Sequence, residues 1–325
     1  MTNIKVSIII PVYNGSLLIS RCLDSIFNQI GNFELEVIVI DDGSTDKSLD
    51  LLDSYPNPIT ILRQSNKGPA AARNKGIEKS TGKYFAFLDA DDYWEPNFLK
   101  ETASFLENNL ETIAVSVGQI HKIIGKKNVI SPIILNTKPI KYTSSIVLDN
   151  FYSFWAKHNH VCTGSVLMQT DIVKQTGGQR IDLRITEDLE FWAYLATFGK
   201  WGFIPKALFT SDGGEITKEQ GWLEKNKKRW ASAPTVKEWE KRILGRLTKD
   251  QLSSFNLAKG KIVRNLTYAM ILSNREKEAL KNIIENRKSL QSDKLSRLMK
   301  FSSYTQITWN MLNILINYKE NYRKI

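Results

Sequence analysis

Apolar residues occur along this chain in short unbroken runs, and each run stops at a turn signal or at acids. Val6-Ser7-Ile8-Ile9-Ile10-Pro11-Val12-Tyr13-Asn14-Gly15 reads as a buried strand interrupted by Pro11 and ended by an Asn-Gly turn. Leu17 to Ile30 places apolar residues at 18, 19, 23, 26, 27 and 30, the spacing of one helix face. Val37 to Ile40 is a second strand, ended by Asp41-Asp42-Gly43-Ser44-Thr45-Asp46, with helix over Ser48 to Leu52. Ile59 to Leu62 is a third strand, and Gly68 to Lys79 a short Ala-rich helix closed by Thr81-Gly82. Tyr84-Phe85-Ala86-Phe87-Leu88 has the length of one strand covered on both faces, and it stops at Asp89-Ala90-Asp91-Asp92. A helix follows from about Pro96 to Asn109, with proline in its first turn. Strand and helix alternating at this spacing predict an α/β fold: a Rossmann-like, mostly parallel sheet flanked by helices.

The alternation weakens beyond residue 113. Ile113 to Ile120 and Val129 to Leu135 read as strands joined by a hairpin turn at Gly125-Lys126-Lys127-Asn128. Ile146 to Lys157 is aromatic and predicts helix; Thr163 to Met168 predicts a strand, and a short helix from Asp171 is closed by Gly177-Gly178. In Glu187 to Phe198, Leu189, Trp192, Ala193, Leu195 and Ala196 share a helical face. Trp201 to Ile204 reads as a last strand, ended by Pro205 and a turn at Ser211-Asp212-Gly213-Gly214. These signals divide the chain into an α/β layer over 1–215 and a helical region over 216–325.

The chemistry gathers at strand ends. In a parallel sheet the ends carrying Pro11 to Asn14, Asp41-Asp42 and Asp89-Ala90-Asp91-Asp92 face one crevice. Three acids as close as Asp89, Asp91 and Asp92 repel unless something compensates, and a hard divalent ion with oxygen ligands is the simplest compensation; the plainer alternative is a polar loop capping the next helix. Lys67 and Arg73 flank the crevice around the start of the Ala-rich helix, where a basic residue and free N–H groups suit a phosphate. No Gly-x-Gly-x-x-Gly follows the first strand and no Gly-x-x-x-x-Gly-Lys-Ser/Thr occurs, which argues against dinucleotide and P-loop sites. What is left is a metal-assisted nucleotide-phosphate site.

With these residues the chain resembles the inverting family 2 glycosyltransferases of GT-A fold. The resemblance rests on Pro11-Val12-Tyr13-Asn14, Val39 to Asp46, Asn66 to Gly76, Phe87 to Asp92 and Thr186-Glu187-Asp188 opening a helix, five motifs in order over residues 5–205. It implies that Pro11, Val12, Tyr13 and Asp42 hold the nucleoside of a sugar nucleotide, UDP favoured, with Asp42 accepting from the base, that Asn14 also binds the sugar nucleotide, and that Lys67 and Arg73 lie along it. Asp89-Ala90-Asp91 would be the DxD motif, with Asp91 foremost and Asp89 beside it as ligands of Mn2+ or Mg2+. Asp188 would be the catalytic base, with Glu187 next to it, in a hexosyltransferase-type single displacement onto a hydroxyl of a glycan or lipid-linked saccharide, in the making of a bacterial-type surface glycan.

Each motif has a plainer reading. Ser44 and Asp46 read as a turn and helix cap. Glu187 and Asp188 at a helix start have the favourable dipole placement of any acids there, and only the other motifs tip the balance towards catalysis. Asp92 reads as orienting its neighbours or capping the helix at Pro96. Arg73 read alone is a surface residue. His121, His158 and His160 lack metal spacing, although His158 and His160 are candidates for the acceptor side; Trp155, Trp192 and Trp222 are core residues or sugar platforms. Asn226-Lys227-Lys228-Arg229-Trp230 is a weak match to the Gln-x-x-Arg-Trp motif of processive family members, with Asn replacing Gln, and suggests that Arg229 and Trp230 help close the site.

Composition changes the picture in one respect. Net charge is +11, yet residues 1–240 carry 27 Lys and Arg against 28 Asp and Glu, whereas residues 241–325 carry 18 against 6. The basic excess is a C-terminal appendage, not a nucleic-acid-binding core. Its apolar residues recur at helical spacing, as in Met299 to Tyr318, predicting helices that pack on the catalytic layer or rest on an anionic membrane. Two cysteines, Cys22 and Cys162, suggest neither a disulfide framework nor a zinc site, and Cys22 falls in a helical core pattern. No signal peptide or membrane-spanning run is read, so the expected location is cytoplasmic, with peripheral contact on the inner face of the membrane. A sugar-phosphate nucleotidyltransferase is the competing enzyme reading, but Pro11 to Gly15 lacks its Gly-rich loop with Arg and Lys. An assembly subunit with a vestigial site is countered by intact Asp42, Asp89, Asp91 and Asp188.

Overall fold

The computed structural model describes residues 3–122, 144–212 and 222–322, with short strand pieces at 129–131, 133–134 and 138–139. The hairpin turn at 125–128 and the Gly-rich turn at 213–214 lie outside the described residues. The first half runs β1 (Ile4–Val12), α1 (Ile19–Phe27), β2 (Phe33–Asp41), α2 (Ser48–Asp53), β3 (Thr60–Arg63), α3 (Pro69–Lys79), β4 (Tyr84–Phe87), β5 (Tyr93–Trp94) and α4 (Phe98–Asn108). It continues through β6 (Thr112–His121), β7 (Val129–Ser131), β8 (Ile133–Ile134), β9 (Lys138–Pro139), β10 (Ile146–Leu148), α5 (Phe151–Lys157), β11 (Val166–Gln169), α6 (Thr170–Gln175), α7 (Glu187–Leu195) and β12 (Lys200–Ser211).

The main sheet has the order β10-β12-β6-β11-β4-β1-β2-β3. β3, β2, β1 and β4 pair in parallel, as do β6 and β12, while β11 and β10 run against their neighbours. The unbroken apolar runs follow from helices on both faces. Ile9, Ile38, Ile40, Phe85 and Phe87 point into one core, and Val6, Ile8, Ile10, Val37, Val39 and Ala86 into the other, so alternate residues of one strand serve different cores. Cys22 is buried in the second core. Close packing of α3 depends on Gly76, where a Cβ would stand 2.2 Å from Ile9 Cγ2.

Two expectations need correction. Ile146 to Lys157 is not one helix: Ile146–Leu148 forms β10 on the edge of the sheet, and the Asn150 side chain, accepting from the Ser153 N–H at 2.9 Å, starts α5 only at Phe151. Pro205 does not end β12 either. The strand continues to Ser211, with register shifts between Ile204 and Phe209 around the proline, because a bulge accommodates a residue that cannot donate to the ladder.

Beyond β12 come α8 (Trp222–Trp230), α9 (Val236–Trp239), α10 (Lys241–Leu244), α11 (Lys249–Ala258), α12 (Gly260–Leu272), α13 (Glu276–Glu285), α14 (Lys294–Ser302) and α15 (Gln306–Tyr322). They share a core with one face of the sheet: Trp239, Phe255, Ile262 and Leu266 belong to the same apolar cluster as Phe85 and Trp192. Capping boxes at Thr235 with Glu238 and at Thr248 with Gln251 fix the starts of α9 and α11.

Candidate active site

The C-terminal ends of β1, β2 and β4 open onto a cleft of about 860 Å3 lined by Pro11, Val12, Tyr13, Asn14, Asp42, Arg73, Asp89, Ala90, Asp91, Glu187 and Asp188. Of the residues assigned to the donor, the metal and the base, every one lines it except Lys67. That lysine is exposed and contributes backbone instead, its N–H donating to Asp42 Oδ1 at 2.8 Å.

One wall is built from the first hundred residues. The buried Asp42 carboxylate accepts from the N–H groups of Lys67 and Gly68 and from Gln64 Nε2, each at 2.8 Å. Two N–H groups ahead of α3 that the sequence left free for a phosphate are therefore engaged by Asp42. Gly68 takes φ 90°, which brings its N–H round to that carboxylate. Asn14, at φ 53°, donates its N–H to Ser44 Oγ at 3.0 Å and accepts from the Thr45 N–H at 2.8 Å. Asp46 accepts from the N–H groups of Ser16 and Ser48 at 3.1 and 3.0 Å, the expected turn role, while α2 starts after Lys47 without a side-chain cap.

The floor is Asp89-Ala90-Asp91. Arg73 is not a surface residue: it is buried, donates to Asp89 Oδ1 at 2.6 Å and lies over the Phe87 ring. One of the clustered acids is thus compensated by the protein itself. Burial, and next the charge of Asp89, raise the Asp91 carboxyl above its usual range. Asp92 does not cap the next helix. It is buried, accepts from the Asp212 N–H at 3.0 Å, and is pushed up to about 8 by burial and by Asp89 and Asp91; α4 starts at Phe98 without a side-chain cap. Arg21, unremarked in the sequence, donates to the Asp91 carbonyl at 2.7 Å and pairs with Asp212. Its only local signal is a cation in an otherwise apolar-patterned helix.

Among the described residues no three His, Cys, Asp or Glu side chains converge as a complete metal cage. The donor set still fits a hard cation. Asp89 and Asp91 offer carboxylate oxygens at the floor of an open cleft, and Mg2+-like ions commonly take one or two carboxylates and complete their shell with substrate phosphates and water.

The opposite wall is the start of α7. Its first residue follows Thr186, held at φ 60°. Glu187 is buried, accepts from Arg229 at 3.3 Å through Oε1, and has no hydrogen-bond partner for Oε2 among the described residues. Burial and then the Glu187 charge raise Asp188 to about 6, against the lowering effect of Arg73. The C-terminal helices brace this wall. Trp239 Nε1 donates to the Thr186 carbonyl at 3.2 Å, and Arg242 grips the buried Glu190 with two bonds of 2.7 Å. Arg229 Nε donates to the Arg184 carbonyl at 2.6 Å, and Arg184 reaches the Lys67 carbonyl at 3.3 Å, joining the two walls.

Other candidates do not reach the cleft. His160 is buried between aromatic rings with Nδ1 against Ser116 Oγ, and His158 packs on Phe154. Trp155 and Trp192 are core residues; the Trp222 side chain lies outside the described residues. Arg229 lines the cleft, but Trp230 lines a separate cavity. Thr163, Arg184, Lys228 and Ser232 also line the cleft; Arg184 and Ser232 are isolated polar residues that carry no sequence pattern.

Comparison with known proteins bears on this arrangement. The family model described as Glycosyl transferase family 2 matches residues 7–172, half of the chain. Poly(ribitol-phosphate) beta-glucosyltransferase of Bacillus spizizenii is 41% identical over 128 residues, 38% of this chain and 20% of that protein. The chain thus spans only a fifth of that relative, and other curated relatives are likewise matched over a minority of their length. Residues 1–349 of S. aureus TarS superpose with a TM-score of 0.60 at 18% identity, over 98% of this chain and 92% of that one. That protein is also solved in complex with UDP and with UDP-GlcNAc. The mannosyltransferase PcManGT from Pyrobaculum calidifontis, in complex with GDP-Man and Mn2+, gives 0.57 at 17% identity over 100% and 89%. At these identities the structural likeness speaks for the fold alone, a mixed α/β fold of GT-A type.

Proposed function

This chain belongs to glycosyl transferase family 2, and from that premise we propose that it moves a sugar from a nucleoside diphosphate, UDP before others, to a hydroxyl of a glycan or lipid-linked saccharide with inversion. The observation that carries the reading is that Asp42, Asp89, Asp91 and Asp188 line one cleft together with Pro11 to Asn14.

In this reading the segment Pro11 to Asn14 and Asp42 bind the nucleoside. Since the Asp42 carboxylate already accepts three bonds from Gln64, Lys67 and Gly68, its first task is to set the pocket wall, and a base N–H would share its remaining lone pair. Asp89 and Asp91 would hold Mn2+ or Mg2+, and a divalent ion there supplies charge stabilisation to the leaving diphosphate. Arg73 holds the Asp89 carboxylate in place through its ion pair. Asp188 takes the proton of the acceptor hydroxyl as that oxygen attacks the anomeric carbon from the face opposite the leaving group; one displacement, through an oxocarbenium-like state, inverts that centre. A carboxyl raised to about 6 suits a base that works near neutral pH. The solved complexes of similar folds with UDP-GlcNAc and with GDP-Man and Mn2+ support a nucleotide-sugar donor and a divalent ion.

The test is a panel of sugar nucleotides with and without Mn2+, read by nucleoside-diphosphate release and by NMR of the product anomer. Turnover should need the metal and collapse in Asp91→Ala and Asp188→Ala. Metal-independent turnover that survives both substitutions would overturn the mechanism.

A further inference from the structure

The last two helices leave apolar surface uncovered. Leu298 and Phe301 on α14 and Ile307, Met311, Ile314 and Leu315 on α15 are between 42% and 75% exposed. On α15 the spacing of 307, 311, 314 and 315 puts all four on one face, opposite the buried Trp309, Leu312 and Ile316. The stripe is continuous with an apolar cavity of about 590 Å3: Leu298 and Leu315 are both exposed and line it, with Lys294 and Lys319 among its other lining residues.

Charge decides what covers this surface. α14 and α15 carry Lys294, Arg297, Lys300 and Lys319, all exposed, against a single acid. That acid, Glu320, is turned inward and accepts from the Tyr268 hydroxyl at 2.7 Å. Asp293, just before α14, is engaged by Arg264 at 3.2 Å. A second copy of the same face would bring four cations against four cations. A lipid surface with anionic headgroups satisfies both features at once, taking the apolar stripe to the depth of the acyl boundary and the lysines and arginine at the phosphates. No described helix is long and apolar enough to cross a membrane, so contact through this face lies along the interface.

We propose that the exposed face of α14 and α15 docks this protein on an anionic lipid bilayer, with the cavity that these two helices form with α12 open towards the lipid. The inference is independent of the donor and of the catalytic assignments, since none of these residues lines the catalytic cleft.

Flotation of the full chain on vesicles tests it. At low salt the protein should float with vesicles of phosphatidylglycerol and phosphatidylcholine in equal parts and stay behind with phosphatidylcholine alone. Met311→Asp with Ile314→Asp should lower the partition coefficient at least about tenfold while nucleoside-diphosphate release from soluble donor is retained. Lys294→Gln and Lys319→Gln, which leave the fold untouched, should each lower it about fivefold. Failure of the wild-type chain to float, or flotation undiminished in the double aspartate variant, overturns the proposal. So does a concentration-dependent dimer in sedimentation that the double variant abolishes while vesicles capture nothing; a second copy would then be the occupant.

Discussion

The two walls of the cleft are held in opposite ways. The wall at Asp42 is held largely from its own neighbourhood: Gln64, Lys67 and Gly68 engage Asp42, Ser44 and Thr45 tie down Asn14, and Arg73 pairs Asp89, with Arg73 Nε the buried group left over there among the described residues. The wall at α7 is under-satisfied where it faces the cleft, with Glu187 Oε2 unpartnered among the described residues and Asp188 raised to about 6. What steadies it comes from Arg229, Trp239 and Arg242, beyond the residues that the family model matches. A binding wall gains from complete hydrogen bonding, because preorganised donors and acceptors need not rearrange on binding. A proton-accepting wall gains from leaving a carboxylate poorly solvated, which raises its basicity.

The contrast is sharpest at Asp188. Asp188→Asn should lower transfer about a thousandfold, the usual worth of a positioned base, while donor affinity measured by calorimetry stays unchanged. The same change should stabilise the fold. A carboxyl whose folded pKa is raised contributes stability that is complete below its unfolded value, about 4, and is lost as pH rises through about 6. The melting temperature of the Asn variant should therefore exceed that of the wild type above pH 6, and the gap should close as pH falls towards 4. In the wild type, kcat/KM should rise with pH through a limb near 6. A flat profile would remove Asp188 from the role of base.

Next in size is the ion pair behind that wall. Glu190 is fully buried and Arg242 is its partner. Arg242→Met leaves a charge buried alone and should cost about 3–5 kcal/mol in denaturant unfolding. Adding Glu190→Gln should recover much of this, because the orphaned charge is gone. On the other wall, Asp42→Asn points an amide N–H2 at backbone donors and should cost about 1–3 kcal/mol, with donor KM rising and kcat for saturating donor little changed. If Asp42→Asn lowered kcat more than Asp188→Asn, the division of labour between the walls would be wrong.

Legibility in the sequence follows the same division. The strands before Pro11, Asp41 and Asp89 could be read because a sheet covered on both faces demands unbroken apolar runs, and the acids after them mark where the sheet ends. Asp42 and Arg73 could be placed beside the cleft for the same reason. The pairing of Arg73 with Asp89 could not, since it depends on how α3 lies across β1 and β2, which Gly76 decides by allowing close approach to Ile9 and Ile40. The path of β12 through Pro205 was hidden by a bulge, and the edge strand β10 by the aromatic run of α5 next to it. In the basic tail, periodicity showed helices and an amphipathic terminal segment, but partners such as Arg242 and Glu190 stand 52 residues apart and no local pattern links them.

The smallest expected effect tests whether the C-terminal helices support the base or merely adjoin it. Trp239 is buried in the shared core and donates one bond, at 3.2 Å, to the carbonyl of Thr186, the residue that enters α7 in a left-handed conformation. Trp239→Phe keeps most of the packing and removes that bond. The cost in stability should be about 1 kcal/mol. If the bond holds Glu187 and Asp188 at their angle to the cleft, kcat should fall several-fold with donor KM unchanged, because the proposed function places donor binding on the opposite wall. If kcat and KM both stay at wild-type values while stability falls by that amount, Trp239 is a core residue only, and the bracing of the base wall rests on Arg229 and Arg242 alone.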